Sequence, residues 1–411
     1  MRRFLLLLLL LGSAATPLWA GSIGVAHIPL PADLSGTLAG AEYKIRVPAN
    51  WNGTLLVWAH GAAMSLQIAP PTVPPASPPI EEQLLALGYA LAGSADAGDR
   101  QTLRLTKLFG REVGHQRRTI VWGESGGGTT ALLSIERHSA AYDAAIAVCP
   151  VAAGGATDAD FMLRFDVAYA AAFGWPTDWW GPLEDVRDDL FGNEMALIMP
   201  VFQWANESNY GKWEFIRLMM KLPAEAWWEF DAIAGLPGWA LAGWKGTALR
   251  SSAEARWGGP VGQNVGVVYT LTSDEKAYLS ALGVNADELL AWMNANANIP
   301  ANRCARMRAS REAPDGRLRR PVLTMHGIFD PILPPAHEAV YRGLVEARGK
   351  GDNLAQTYVR TPGHVAFSAE QFLALLTGVE YWLDTEVRPD ASFFPESFAF
   401  DNGFVPPPWP Y

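Results

Sequence analysis

The sequence predicts an α/β fold in which a mostly parallel sheet is flanked by helices and interrupted by a helical insertion. Short apolar runs of strand length alternate with helix-like segments on both sides of the middle of the chain. Such alternation is typical of right-handed β-α-β units and a mostly parallel sheet. In addition, a serine stands between a predicted strand and a predicted helix, and a tryptophan-rich stretch separates the two alternating parts.

The first alternating part covers residues 21–151. It starts with an irregular lead-in at 21–40, followed by an alternating strand at 41–47 and a turn at Asn52-Gly53. Continuous apolar runs are expected for strands that are buried on both faces. Such strands are predicted at 54–59, 89–92, 119–122 and 144–148, with helices at 80–87 and 126–138, and a Pro-rich loop at 70–79.

The insertion covers residues 152–305 and has a helical pattern. We expect it to pack over the carboxyl edge of the sheet as a cap that follows the sixth strand. The alternation resumes in residues 306–385, with strands around 321–327 and 356–359 and helices at 336–348 and 369–383. Residues 386–411 hold many prolines and aromatic residues and are predicted to form a surface-bound tail.

The tryptophans of the insertion allow two interpretations. Eleven of the 17 tryptophans in the chain lie there. They either form the cap's own core, which we favour for most of them because each buries a large area, or wall a pocket for an apolar, aromatic or sugar-like substrate. In the pairs Trp179-Trp180 and Trp227-Trp228, neighbouring helical side chains point in different directions, which leaves one of each pair available to the active-site cleft.

The amino terminus and the charge indicate an exported protein. A basic start, a leucine block and a small residue at Ala20 are typical of a secretory signal peptide at residues 1–20. The apolar run is short for a membrane span, which needs about 20 residues. The chain carries 32 Lys+Arg and 42 Asp+Glu, a net charge of -10 that becomes -12 without Arg2 and Arg3. This acidity argues against nucleic acid or an anionic membrane as a partner. The signal peptide predicts a secreted or periplasmic location.

The only two cysteines bracket the insertion. Cys149 ends a predicted strand before the cap, and Cys304 stands where the cap returns. In an exported protein such a pair is a disulfide candidate, although two buried free thiols are equally compatible with the sequence. Neither cysteine has metal-ligand spacing to another Cys or to a His, and we expect no metal or organic cofactor.

Ser125 is the candidate nucleophile. It lies in the run Thr119 to Gly128, where Gly123 and Gly127 leave room for neighbouring backbones at a tight strand-to-helix turn. A serine hydroxyl needs an adjacent base to attack at neutral pH. The preceding residue, Glu124, is interpreted as a hydrogen-bond partner that supports the site, with substrate contact as the alternative.

His364 and Asp330 are the candidate base and acid. His364 lies in a turn after the last predicted strand, and Asp330 follows the strand that resumes the sheet. The order Ser, Asp, His is the one expected when the three residues follow successive strands of such a sheet. Other candidates fit less well. Asp158 and Asp160 are the alternative acids, His60 and His326 are interpreted as shaping turns, and His337 as starting a surface helix.

Two backbone N–H groups are candidates for an oxyanion hole. Gly126 is the first residue of the predicted helix after the nucleophile, and its N–H is one candidate donor. A second donor is expected in the His60-Gly61-Ala62-Ala63 segment after an early buried strand. Ala62 is preferred by its position, although the sequence does not distinguish it from Ala63.

Four segments in this order resemble the α/β-hydrolase superfamily: VWAHGAA, VWGESGGG, MHGIFDPILPP and TPGHVAF. They span residues 57–367, and the chain is broadly similar to exported bacterial esterases and to the catalytic domains of prolyl-oligopeptidase-like enzymes. The resemblance implies an α/β-hydrolase fold with a cap insertion and a serine hydrolase that acts on small or polymeric esters. A peptidase is the alternative, and a binding protein without activity is disfavoured because all three catalytic residue types are present.

Overall fold

The computed structural model describes residues 25–61, 66–206 and 209–409. The strands, in chain order, are β1 (Val25–Ala26), β2 (Ala32–Leu38), β3 (Ala41–Val47), β4 (Thr54–Ala59), β5 (Ala90–Ser94), β6 (Gly114–His115), β7 (Arg118–Glu124), β8 (Ala144–Val148), β9 (Val322–Phe329) and β10 (Leu354–Pro362). Strands β1 and β6 form a small antiparallel pair. The other eight form the central sheet.

The central sheet has the order β10-β9-β8-β7-β4-β5-β3-β2. Neighbouring strands from β10 to β5 pair in parallel, whereas β3 and β2 extend the sheet antiparallel at one edge. Eight mostly parallel strands in this order, flanked by helices, define the predicted α/β-hydrolase fold, which is confirmed. Strand β8 is the sixth of this sheet in chain order, and the helical insertion follows it.

The helices fall into three groups, before the insertion, within it and after it. Those before the insertion are α1 (Ile80–Ala86), α2 (Asp99–Glu112) and α3 (Gly126–Arg137). The insertion contains α4 (Gly155–Phe173), α5 (Thr177–Trp180), α6 (Glu194–Leu197), α7 (Met199–Asn206), α8 (Tyr210–Met220), α9 (Ala224–Trp228), α10 (Gly238–Trp244), a π-helix (Lys245–Leu249), α11 (Arg250–Trp257), α12 (Ser273–Ala281), α13 (Ala286–Ala295) and α14 (Arg303–Arg311). Helices α15 (Ala336–Ala347) and α16 (Ala369–Thr385) follow it.

Both faces of the sheet are covered, as the continuous apolar strands require. Successive side chains of a strand point to opposite faces. In β4, Leu56 and Trp58 therefore pack in the core shared with α1 and α16, whereas Leu55 and Val57 pack in the core shared with α2. Helices α3 and α15 cover a third apolar cluster, which contains Ala145 and Ala147 of β8 and Val322 of β9.

One edge of the sheet differs from the prediction. Residues 32–38 lie within the segment that we expected to be irregular, but they form β2, paired with β3 along its whole length. Its sequence, ADLSGTL, is mostly exposed and carries few apolar residues, so the alternation that marks β3 is weak there. The two strands are joined at Ala39 and Gly40, which both have positive φ.

The cap has its own aromatic core. Trp180, Trp213 and Trp227 are fully buried and pack with Phe202 and Tyr169, which confirms the favoured interpretation for these tryptophans. The paired tryptophans divide as expected from helix geometry: Trp179 is exposed beside buried Trp180, and half-buried Trp228 follows buried Trp227.

The candidate disulfide is not formed in the structure, where both cysteines are free. Cys149 is completely buried at the end of β8, where its N–H donates to the Met325 carbonyl oxygen at 2.9 Å. Cys304 is exposed in the first turn of α14. The two residues bracket the insertion in sequence, but one lies at the end of a buried strand and the other on the surface.

The two ends of the chain are described in part. Residues 1–24, which include the predicted signal peptide, lie outside the described residues. Within the described part of the chain, no helix is both long and apolar enough to cross a membrane. The tail returns to the core, where Phe394 and Phe400 are buried against α16 and Val359 forms an isolated antiparallel bridge with Phe400.

Candidate active site

Ser125 occupies a strained turn between β7 and α3. Its φ and ψ are 54° and -122°, a conformation that non-glycine residues rarely adopt. Its N–H donates to the Val148 carbonyl oxygen at 2.8 Å, which ties the turn to the neighbouring strand β8. Strain of this kind costs about 1–3 kcal/mol and persists only where the surrounding structure enforces it. The turn raises the serine above the carboxyl edge of the sheet.

Two glycines allow this turn to pack. A Cβ built on Gly127 would lie 1.9 Å from the Ala59 carbonyl oxygen, and one on Gly123 would lie 2.4 Å from the same oxygen. The backbones of β4, β7 and α3 therefore approach each other more closely than any side chain permits. The G-x-S-x-G spacing follows from this contact.

The expected oxyanion donors are placed in part. Gly126 is the first residue of α3, where backbone N–H groups have no partner within the helix. Gly61, just after β4, passes close to the nucleophile: a Cβ built on it would lie 3.2 Å from the Ser125 Cβ. Ala62 and Ala63 lie outside the described residues, so the choice of Ala62 stays a prediction.

His364 and Asp330 are brought together from two separate loops. Asp330 follows β9 and His364 follows β10, and because these strands are parallel both loops leave the same edge of the sheet as Ser125. His364 Nδ1 lies 2.6 Å from Asp330 Oδ2. The other ring nitrogen, Nε2, is buried and has no hydrogen-bond partner among residues 25–61, 66–206 and 209–409. Ser125 is among the residues that make no hydrogen bond with this nitrogen.

The Asp330 carboxylate is held ionised by its surroundings. The residue is completely buried, and its Oδ1 accepts the N–H groups of Ile332 at 2.9 Å and Leu333 at 2.8 Å. Burial alone would raise the pKa of Asp330, but the charge and hydrogen bond of His364 together with the nearby His326 outweigh it, so the pKa is lowered.

His326 is completely buried behind the acid. Its Nδ1 lies 3.2 Å from Glu338 Oε1, and its Nε2 lies 2.6 Å from the Leu333 carbonyl oxygen. Both ring nitrogens thus face acceptors, which suits the doubly protonated ring. Burial lowers the pKa of His326, but the opposing effect of its contacts with Glu338 and Asp330 is larger. The pKa is therefore raised. The ring also contacts the loop backbone, as the turn-shaping interpretation requires.

Glu124 is buried next to the nucleophile. Its Oε2 has no hydrogen-bond partner in the part of the chain that the structure describes. Burial raises the pKa of Glu124 to about 8. The side chain is therefore mostly neutral at pH 7, and the supporting hydrogen bond that the sequence suggested is not observed among the described residues.

One group of potential metal ligands lies close together among the described residues. The ligand atoms of Cys149, His326 and Asp330 are all within 4.8 Å of one another. Both nitrogens of His326 and both oxygens of Asp330 already have protein partners. The Cys149 thiol is kept neutral because burial and the nearby Asp330 raise its pKa well above the usual value. The group is better suited to hydrogen bonding than to metal binding.

The alternative acids are engaged elsewhere. Asp160 forms an ion pair with Arg306, with Oδ1 and Nη1 2.7 Å apart. Asp158 accepts a hydrogen bond from Lys245 and lies 3.2 Å from His337 Nε2. His337 lies in the first turn of α15, as expected, but its side chain is completely buried rather than on the surface. His60, as expected, shapes its turn through contacts with the carbonyl oxygens of Gly61 and Ala95.

A cap residue that the sequence did not single out reaches the candidate base. Asp231 is buried in the turn between α9 and α10, and its Oδ2 accepts the backbone N–H of His364 at 2.7 Å. No motif marks this aspartate. The nearest indication in the sequence is Gly363, whose lack of a side chain leaves room for the carboxylate.

Comparisons with known proteins find remote structural similarity. No protein-family model and no curated protein matches the sequence. Among solved structures, an esterase from Aspergillus oryzae is 15% identical over 87% of this chain and 80% of its own, with a TM-score of 0.40. The tannin acyl hydrolase from Aspergillus niger is 12% identical over 89% and 83% of the two chains, with a TM-score of 0.42. The acylaminoacyl peptidase from Pyrococcus horikoshii is 10% identical over 83% and 38%, with a TM-score of 0.38. The fold assignment rests on the strand order rather than on these similarities.

Proposed function

We propose that the protein is a serine hydrolase that cleaves carboxylic esters through an acyl-enzyme intermediate. The observation that carries the proposal is the 2.6 Å contact between His364 Nδ1 and Asp330 Oδ2. It occurs at the sheet edge where Ser125 stands in its strained turn. A nucleophile, a base and an orienting carboxylate are the components of acyl transfer by a triad.

In the proposed reaction, Ser125 Oγ attacks the ester carbonyl and its proton passes to His364 Nε2. The N–H groups of Gly126 and Ala62 donate to the oxyanion that develops on the carbonyl oxygen. Asp330 orients the imidazole through Nδ1 and stabilises the imidazolium. His364 then protonates the departing alcohol. Water, deprotonated by His364, attacks the acyl-enzyme, and His364 returns that proton to Ser125 Oγ as the bond between Oγ and the acyl carbon breaks and the acid is released.

The test is the variant Ser125→Ala in purified protein. Loss of the nucleophile should lower kcat by several orders of magnitude, as in other triads, and should also abolish covalent labelling by a fluorophosphonate. Ser280→Ala, which removes an exposed hydroxyl from the cap, serves as the matched control and should keep activity and labelling. Activity above a trace in Ser125→Ala would refute the proposed nucleophile.

A panel of substrates tests whether the enzyme cleaves ester bonds or amide bonds. Short and long p-nitrophenyl esters are compared with aminoacyl-p-nitroanilides on the same enzyme. We expect hydrolysis of the esters. Hydrolysis of the anilides alone would favour the alternative function, a serine peptidase of the prolyl-oligopeptidase-like type.

We also propose that the protein is exported and that residues 1–20 are removed. The support is the basic start, the short apolar run and the small residue Ala20 in the sequence. Amino-terminal sequencing of the protein recovered from the periplasm or medium should begin at Gly21. A mature chain that retains the leucine block would contradict the proposal.

A further inference from the structure

The turn between α9 and α10 of the cap, residues 230–236, is unusually well fixed; we call it the cap turn. Asp231 Oδ1 accepts the N–H groups of Ile233 at 2.8 Å and Ala234 at 2.6 Å. The Asp231 N–H donates to the Leu236 carbonyl oxygen at 2.9 Å, and Phe230 forms an antiparallel bridge with Pro237. These bonds close the segment into a compact loop with a defined shape.

The cap turn is fastened to the loop that carries the candidate base. Asp231 Oδ2 accepts the N–H of His364 at 2.7 Å, and Asp231 itself is buried. Gly363 has a φ of +92°, and a Cβ built on it would lie 2.3 Å from Asp231 Oδ2. The two loops therefore meet backbone to carboxylate, a contact that leaves no room for another side chain.

The cap turn also contacts the loop that carries the acid. Leu236 packs against the cluster formed by Leu241, Ile332 and Leu333. The N–H groups of Ile332 and Leu333 are the ones that donate to Asp330 Oδ1. One short cap segment thus touches both loops of the Asp330–His364 pair.

The same turn exposes two large apolar side chains. Phe230 is 64% exposed and Ile233 is 49% exposed. Adjacent Cα atoms are about 3.8 Å apart, so the Phe230 Cα lies at most about 10 Å from the His364 N–H that its neighbour binds. When an apolar ligand covers apolar groups that a rigid turn holds in water, the free energy falls, which favours binding.

We infer that the cap turn is the specificity wall of the site, which Asp231 fixes against the base and on which Phe230 and Ile233 select substrates with an apolar group. The inference rests on the proposed function, because a substrate must bind at Ser125. The selected group belongs either to the acyl side or to the alcohol side of the ester, and the chemistry is the same in both cases.

The experiment compares wild type with the double variant Phe230→Ala/Ile233→Ala on two ester series. In the acyl series, kcat/KM is measured for p-nitrophenyl octanoate and acetate. In the alcohol series it is measured for octyl and ethyl acetate. We expect the preference for the longer ester to fall about 10-fold in one series, since lost apolar contacts of this size change specificity by that order. The series in which the preference does not change identifies the side of the ester, acyl or alcohol, that the cap turn does not contact.

The matched control is Val265→Ala/Val268→Ala, which removes two exposed apolar side chains elsewhere in the cap, 58% and 75% exposed. This control should keep both preferences. Asp231→Ala should lower kcat for all esters with little change in KM, because the base loses its anchor, and Asp231→Asn should restore part of the loss. Unchanged preferences in the Phe230 and Ile233 variant would overturn the inference, even with an active enzyme.

A binding measurement separates this inference from the proposed function. Octanoate and 1-octanol are titrated into Ser125→Ala protein with and without the two cap-turn substitutions, with tryptophan fluorescence as the readout. Weaker binding of one of them in the substituted protein supports the wall, whether or not the wild type hydrolyses esters. Equal binding, or no binding to either protein, refutes it.

Discussion

At the scale of single residues, the buried carboxyl group of Glu124 makes the stability of the protein depend on pH. The side chain is buried beside Ser125, and its pKa is raised to about 8 by burial. The folded protein therefore keeps the Glu124 proton over a pH range in which the unfolded chain, with an ordinary pKa near 4.5, has lost it. Because the folded state binds more protons in that range, its stability falls as the pH rises.

The variant Glu124→Gln tests this linkage. Relative to the variant, wild type should lose about 3.5 kcal/mol of unfolding free energy between pH 5 and pH 8, since glutamine does not titrate. Urea denaturation of both proteins at pH 5, 6.5 and 8 measures the difference. Glu225→Gln, a change at an exposed position of the cap, should show no such trend. A stability difference that is constant with pH would contradict the buried neutral carboxyl.

The sequence predicts the candidate catalytic residues better than their partners. Asp330 and His364 were recognisable because each follows a strand-like run at a turn, and parallel strands bring such turns to one edge of the sheet. Their contact is observed as expected. The contact of Asp231 with the His364 N–H was not predictable, because 133 residues separate the two and no local pattern marks an aspartate in a cap loop.

At the scale of elements, the turn between β7 and α3 depends on glycine for packing rather than for flexibility. Gly126 and Gly127 are neighbours in the first turn of α3. A Cβ at Gly127 would meet the Ala59 and His60 carbonyl oxygens, whereas a Cβ at Gly126 would meet nothing within 4 Å. The two positions therefore differ sharply in the side chain that they tolerate.

We expect Gly127→Ala to destabilise the protein by about 3 kcal/mol or to prevent folding, because β4 and α3 must separate to admit the methyl group. Gly126→Ala is the matched control and should stay close to wild type in stability. Thermal unfolding followed by circular dichroism measures both. If the two alanine variants melt at the same temperature, the close approach of β4 to α3 is refuted.

The elements themselves were predictable in proportion to their hydrophobic pattern. Strand β4 is buried along its whole length, and its predicted bounds agree with the structure. Strand β2 was missed because it lies at the edge of the sheet and exposes most of its side chains. Its pairing with β3 supplies the missing information, and that pairing is a tertiary contact.

At the scale of the whole molecule, the cap is joined to the sheet by buried charges as well as by its two chain connections. Lys245, in the π-helix of the cap, donates to Asp158 in α4 and to the Ile332 carbonyl oxygen in the loop after β9. Lys245 and Asp158 are both buried. Burial would raise the pKa of Asp158, but the opposing effect of Lys245 and His337 is larger. The pKa is therefore lowered, and the carboxylate is ionised. The bond to Ile332 connects this pair to the loop that also holds Asp330.

The variant Lys245→Met should therefore destabilise the whole protein by about 3–5 kcal/mol at pH 7, because it leaves the Asp158 carboxylate buried without its cation. Lys276→Met is the matched control: Lys276 pairs with Asp287 on the cap surface, and loss of an exposed pair costs less than about 1 kcal/mol. Urea denaturation with separate probes of the cap tryptophans and of helix content measures both variants. The Lys245 variant should recover part of its stability at pH 5, where protonation of Asp158 relieves the unpaired charge, and also in combination with Asp158→Asn. Equal stability of the two methionine variants would mean that Lys245 does not join the cap to the loop after β9.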